Sequence, residues 1–158
     1  MPIVNVLDTF PLSSTAKLPD VRSKSRSSVD ECQDWIDNCV GAGHRILAPA
    51  ICYYEAAREL ERRNAKRQII RLNEYCHEVP DRFISIRDDH LDLAAKLWAQ
   101  ARKSGKPTSG AESLDVDCIL AAQAILLGLP ESDFVIATTN VDHLTQFVPA
   151  ALWTEISP

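Results

Sequence analysis

Residues 115–138 read DVDCILAAQAILLGLPESDFVIAT, and this stretch decides the fold. The Ala- and Leu-rich run over 115–127 predicts a helix, and Gly128 stands where a helix C-terminus favours a residue with positive φ. The segment Phe134-Val135-Ile136-Ala137-Thr138 is short and continuously apolar, the pattern of a strand buried on both faces. A helix feeding directly into such a strand is the repeating unit of a parallel sheet covered by helices.

The same alternation runs through the rest of the chain. Ile3-Val4-Asn5-Val6-Leu7 is a first buried strand ending at Asp8-Thr9. Residues 11–28, rich in Ser, Lys, Arg and Pro, predict a mobile loop. Over 29–40 the spacing of Cys32, Trp35, Ile36, Cys39 and Val40 gives one helical stripe, with Ser28 or Asp30 as cap and Gly41 and Gly43 as stops. Residues 45–48 form a second strand, and Pro49 opens a helix over 50–64. Further expectations are helices at 65–76 and 88–102, strands at 83–86 and 152–156, and a short helix or turn at 142–147. Leu91, Ala94, Ala95, Trp98 and Ala99 share one side of the helix over 88–102, and Trp35, Trp98 and Trp153 are expected in the core. The sum is one domain over 1–158: an α/β three-layer sandwich with a central, mostly parallel sheet covered by helices.

Bulk properties narrow the function. A chain of 158 residues buries enough surface to fold without a disulfide or a structural metal. Five cysteines, odd in number and without a C-x-x-C pair, point to reduced thiols and a cytoplasmic location. The four histidines lack zinc-ligand spacing. No apolar run approaches the ~20 residues that span a bilayer, and the start Met-Pro-Ile-Val-Asn lacks a signal peptide's positive flank, so a soluble, unexported chain with no membrane partner is expected. A net charge of -5 argues against a nonspecific polyanion binder.

In open parallel sheets ligands sit beyond the carboxyl ends of the strands. Asp8, Glu55, Asp115, Asp117, Asn140 and Asp142 all fall at that rim. Each alone reads equally well as a turn, a cap or a solvated face. Together they repel: two carboxylates ~4 Å apart cost ~4 kcal/mol at an effective dielectric of about 20, so a cation is the natural complement. Oxygen ligands suit Mg2+ or Mn2+, and such an ion beside a polyanion activates water for phosphodiester hydrolysis. An aspartyl-phosphate phosphatase with Asp8 as nucleophile ranks lower, because Phe10 occupies the place of its general acid.

These residues resemble the PIN-domain nucleases over nearly the whole chain. Val6-Leu7-Asp8-Thr9 looks like the first motif of that family, and Pro49-Ala50-Ile51-Cys52-Tyr53-Tyr54-Glu55 is similar to the second. Asp117-Cys118-Ile119-Leu120-Ala121-Ala122-Gln123-Ala124 resembles the third, the most specific, and Ile136-Ala137-Thr138-Thr139-Asn140-Val141-Asp142-His143-Leu144 the fourth. The resemblance implies an endoribonuclease dependent on Mg2+ or Mn2+, in bacteria often a VapC-type toxin paired with a small antitoxin and commonly a homodimer. It implies Asp8, Glu55 and Asp117 as metal ligands, Asn140 in the fourth catalytic place, and Asp115 or Asp142 supplying a further charge. The motif hydroxyls Thr9, Thr138 and Thr139 are expected near substrate. Phe10 in place of a polar residue, and Asn140 in place of an aspartate, depart from the pattern.

Arg58, Glu59 and Arg62 follow Glu55 at i+3, i+4 and i+7, on one helix face. Arg58 and Arg62 therefore read as phosphate contacts, or as a solvated face laced with Glu59, Glu61 and Glu74. Lys17, Arg22, Lys24 and Arg26 form a second basic group, and Phe10, Tyr53 and Tyr54 are candidates to stack on a base. The rival to an RNA-cleaving enzyme is a non-catalytic module of the same fold that binds RNA or a protein.

Overall fold

The computed structural model describes residues 3–19, 25–105 and 111–158, the side chains of 111 and 112 excepted. Its strands are β1 (Val4–Leu7), β2 (Arg45–Pro49), β3 (Phe83–Ile84), β4 (Phe134–Thr138) and β5 (Ala150–Leu152). They lie in the order β3-β2-β1-β4-β5, with every neighbouring pair parallel. The helices are α1 (Thr9–Ser14), α2 (Ser28–Gly41), α3 (Ala50–Arg62), α4 (Lys66–His77), α5 (Asp88–Lys103), α6 (Ala111–Ile125) and α7 (Val141–Leu144). Sheet and helices make the expected three-layer, PIN-like sandwich.

The core follows from the apolar strands. Val4, Val6 and Leu7 of β1 and Ile136 and Ala137 of β4 are buried, as are Leu120, Ala121, Ala122 and Ala124 of α6. The small α6 side chains let that helix pack closely, and each large one, such as Leu120, stabilises the fold by about 1.5–3 kcal/mol. All five cysteines are buried and unpaired, and burial pushes the Cys39 and Cys118 thiols up to about 11.

Strand order sets the place of the site. Connections leave β1 toward β2 on one side, while β4 joins on the other, so the crevice opens beyond Leu7 and Ala137, which are paired in register. The Asp8 amide extends that ladder, donating to the Ala137 carbonyl at 3.0 Å.

Several expectations are corrected. The segment 11–28, expected to be a loop, holds the last four residues of α1 and the first of α2, with Pro11, Leu12 and Ser14 buried. Proline is tolerated there because its missing N–H is one a first helical turn leaves unpaired anyway. The cap of α2 is Ser27, closing a reciprocal box with Asp30. Of the second basic group, Lys17 pairs with Asp30 at 2.9 Å and Arg26 with Asp34, while Arg22 and Lys24 lie outside the described residues. β3 stops at Ile84. The last strand begins earlier, at Ala150, and Trp153–Glu155 is a 3-10 turn that buries Trp153 against Trp35. Trp98 is 39% exposed and Leu91 47%, so of that stripe on α5 Ala94 packs into the core while Leu91, Ala95 and Trp98 face outward.

Candidate active site

Asp8 stands between β1 and α1 as the α1 N-cap, its Oδ1 accepting from the Thr9 amide at 2.7 Å. The buried Thr138, last residue of β4, donates from Oγ1 to Asp8 Oδ2 at 2.6 Å and accepts from the Asn140 amide at 3.0 Å. The Cys52 thiol donates toward Asp8 Oδ1 at 3.7 Å; burial first, then the Asp8 charge, hold that thiol protonated well above its usual range. Glu55, on the second turn of α3, accepts from Thr9 Oγ1 at 2.6 Å and from Arg58 Nη2 at 3.2 Å. Thr9 thus bridges the first two carboxylates.

Asp117 comes from α6. Burial, then the Asp8 and Glu55 charges, push its carboxyl up to about 6, against the pull of His143. The His143 Nδ1 lies 3.6 Å from Asp117 Oδ2 and 3.0 Å from Asn140 Nδ2. Asp8, Glu55, Asp117 and Asn140 thereby line one cavity of about 450 Å³, open to solvent, with Thr139 and His143 on the same wall.

Other expected residues fall elsewhere. Asp115 is exposed and lines a separate apolar groove with Leu91, Trp98 and Ile119, because two positions on a helix turn it away from Asp117. Asp142 is exposed on α7 outside the cavity lining. Arg62 makes a two-pronged pair with Glu59, at 2.9 and 2.6 Å, and Arg58 is the arginine that meets a cavity carboxylate. Tyr54 is exposed beside Glu55, with the Arg58 guanidinium 5.4 Å from its ring centroid.

Sequence reasoning missed His143 as a cavity residue, having weighed it only as a zinc ligand. Its signal was position: three residues after Asn140 and across a helical turn from it. Ser13 and Ser113 also line the cavity. Ser13 went unnoticed because its segment was read as loop.

The donor set, carboxylates and an amide, suits a hard divalent cation in kind, with Glu55, Asp8 and Asn140 each held by a neighbouring hydroxyl or ring. Among the described residues, no three His, Cys, Asp or Glu side chains stand close enough to share one ion as they are disposed. In this arrangement Glu55 accepts from Arg58 and Asp8 from Thr138. The Arg58 pair is largely exposed, so parting it costs at most about 1 kcal/mol.

Fold and site together define an all-parallel, three-layer α/β protein with an acidic crevice where its strand order reverses. No family model matches the chain, and no curated protein does. Among solved structures, FitAcB from Neisseria gonorrhoeae is similar at 17% identity, covering 96% of this chain and 99% of that one, with a TM-score of 0.66. VapBC-1 from nontypeable Haemophilus influenzae matches at 16%, covering 97% and 100%, with a TM-score of 0.58. FitAB bound to an IR36 DNA fragment matches at 15%, covering 98% of each chain, with a TM-score of 0.61. At these identities the likeness establishes the fold. The recognition of the chain as a PIN-domain nuclease of VapC type is therefore corrected: no family model carries it, and the matching structures are FitAB and VapBC assemblies.

Proposed function

We propose that the chain is a metal-dependent phosphodiester hydrolase acting on single-stranded RNA, with Asp8, Glu55 and Asp117 as ligands for Mg2+ or Mn2+. The observation that carries this reading is the meeting of three carboxylates from three separate elements on one open cavity. A cation bound there supplies Lewis acidity toward a phosphoryl oxygen and makes water a better nucleophile.

The protein's own residues do the positioning. Thr138 and the Thr9 amide fix both oxygens of Asp8, and the Thr9 hydroxyl fixes Glu55. Asn140, held by Thr138, presents a neutral amide to the fourth corner, which suits a phosphate oxygen better than a fourth negative charge would. Arg58, released from Glu55, reaches a substrate phosphate, and Tyr54 offers a face for a base. Asp115 and Asp142 act at most through water, from outside the cavity lining.

The fold neighbours, FitAB and VapBC complexes, support a toxin–antitoxin setting with a small protein partner. We read a homodimer onto the α5–α6 face, where Leu91 and Trp98 are exposed beside Ile119. Sedimentation of the wild type against Trp98→Glu checks it: a monomer in both rejects that face. The alternative to catalysis, a module that binds without cutting, is favoured by the spread of the carboxylates. Labelled single-stranded RNA incubated with manganese, with EDTA, or with the Asp117→Asn variant separates the two. Cleavage in the first alone supports the hydrolase, and intact RNA in all three rejects it.

A further inference from the structure

Gln123 lies on α6, six residues beyond Asp117, and its side chain is wholly buried. A buried primary amide needs partners for its oxygen and its N–H groups. Gln123 Oε1 accepts from the Ile51 amide at 3.3 Å, and Nε2 donates to the Ile84 carbonyl at 2.7 Å.

Both partners are backbone groups that the local structure leaves open. Ile51 is in the first turn of α3, whose cap is Pro49 and which has no side-chain cap. The amides of a first turn have no partner inside their own helix. Ile84 ends β3, the edge strand beside β2. One side chain from α6 therefore ties the start of α3 and the edge of the sheet to the helix that carries Asp117.

The tie sits about one helical turn from Glu55 on α3 and nearly two turns from Asp117 on α6, close to both ends of an electrostatic conflict. Ile51 precedes Glu55 by four residues, on the same face of α3. Glu55 and Asp117 carry like charges into one cavity, and like charges at close range push their helices apart.

We propose that Gln123 is a positioning residue that sets the separation of Glu55 and Asp117 by locking α3 to α6. Its effect on metal binding rests on the cation-site reading given above; its effect on helix spacing does not. Substitution loosens the two helices and weakens cation binding beyond any loss of stability.

The test uses the full chain, Gln123→Met, and Trp35→Phe as control. The control also removes one buried hydrogen bond, from Trp35 Nε1 to the Ile156 carbonyl at 2.8 Å, away from the cavity lining. Spin labels at Glu59→Cys on α3 and Ser113→Cys on α6, both exposed, report the helix separation. The expected result is a broadened distance distribution in Gln123→Met and an unchanged one in Trp35→Phe; an unchanged distribution in both overturns the proposal. Manganese titration followed by the resonance of the free ion should show affinity at least about tenfold weaker in Gln123→Met alone. Equal affinity in all three proteins makes Gln123 merely structural and also overturns it. Failure of the wild type to bind manganese sinks the cation-site reading, while the label distances still judge the tie. Should Gln123→Met not fold, Gln123→Glu replaces it. A neutral glutamic acid still accepts from Ile51 and donates to Ile84, so against the wild type measured at the same pH its distribution should match at about pH 5 and be broader at about pH 8. Identical distributions at both pH values reject the tie.

Discussion

Asp117 carries the strain of the site in a form that pH can read. Its carboxyl moves from an ordinary 3.8 to about 6, first through burial and then through Asp8 and Glu55. Between those values the folded chain keeps a proton the unfolded chain has lost, so this group makes stability rise as pH falls from about 6 toward 4. At pH above 7, without a cation, the ionised group costs the fold roughly 3 kcal/mol, at about 1.4 kcal/mol per pH unit. Asp117→Asn should therefore stabilise the metal-free protein by up to about that amount at pH 7.5 and flatten its slope between pH 4 and 6. Urea midpoints of the two proteins across that range decide it, and parallel curves reject the assignment. Thr138→Val acts in the opposite sense. It takes a short bond from Asp8 and leaves the Asn140 amide without its acceptor, so a loss of about 1–3 kcal/mol is expected in thermal denaturation.

Elements differ in how plainly their sequences announced them. β4 was legible to the residue, because 134–137 is an unbroken apolar run closed by a β-branched threonine. α1 was not, because Pro11, Ser13 and Ser14 have poor helix propensity, and six residues are too few to show a period. Its stability comes from the Asp8 cap and the burial of Leu12, which are tertiary facts. The outward turn of Trp98 was equally hidden: apolar periodicity marks a stripe but not whether anything packs on it. At the site, Asp8, Glu55, Asp117 and Asn140 were legible as rim residues from strand ends alone, while His143 and Gln123 needed contacts between distant segments. The Ser27–Asp30 box shows how much a cap matters at this scale. Ser27→Ala should cost α2 about 1 kcal/mol near pH 7. The Ser27 amide and hydroxyl and Lys17 hold the Asp30 carboxyl below its usual range, so its contribution is full above pH 4 and disappears as pH falls further. The gap between Ser27→Ala and wild type should thus narrow as pH falls from about 4 toward 2, leaving the share of the bond from the Asp30 amide to Ser27 Oγ, which does not titrate; a gap constant over that range excludes the hydroxyl–carboxylate contact.

Across the whole molecule, charge and topology pull in different directions. The switch point between β1 and β4 makes a crevice suited to a ligand, but among the described residues its lining holds three carboxylates and no Lys or Arg, in a chain of net charge -5. The arginines of α3 and its C-cap are already engaged, Arg58 with Glu55 and both Arg62 and Arg63 with Glu59. A polyanion approaching this surface meets repulsion unless a divalent ion first neutralises the acids and frees Arg58. RNA binding should therefore be metal-gated: single-stranded RNA, followed by fluorescence anisotropy with calcium in place of manganese to slow turnover, should bind at least about tenfold tighter than in EDTA. With so few phosphate contacts the salt dependence should be shallow. Two contacts on a single strand give a slope near -1.4 in log K against log salt, less than about a tenfold loss between 50 and 200 mM. Equal binding in EDTA with a steep salt slope would mean instead that RNA lies along the basic face of α3 and α4, around Lys66, Arg67 and Arg71, and that the acidic crevice serves something else.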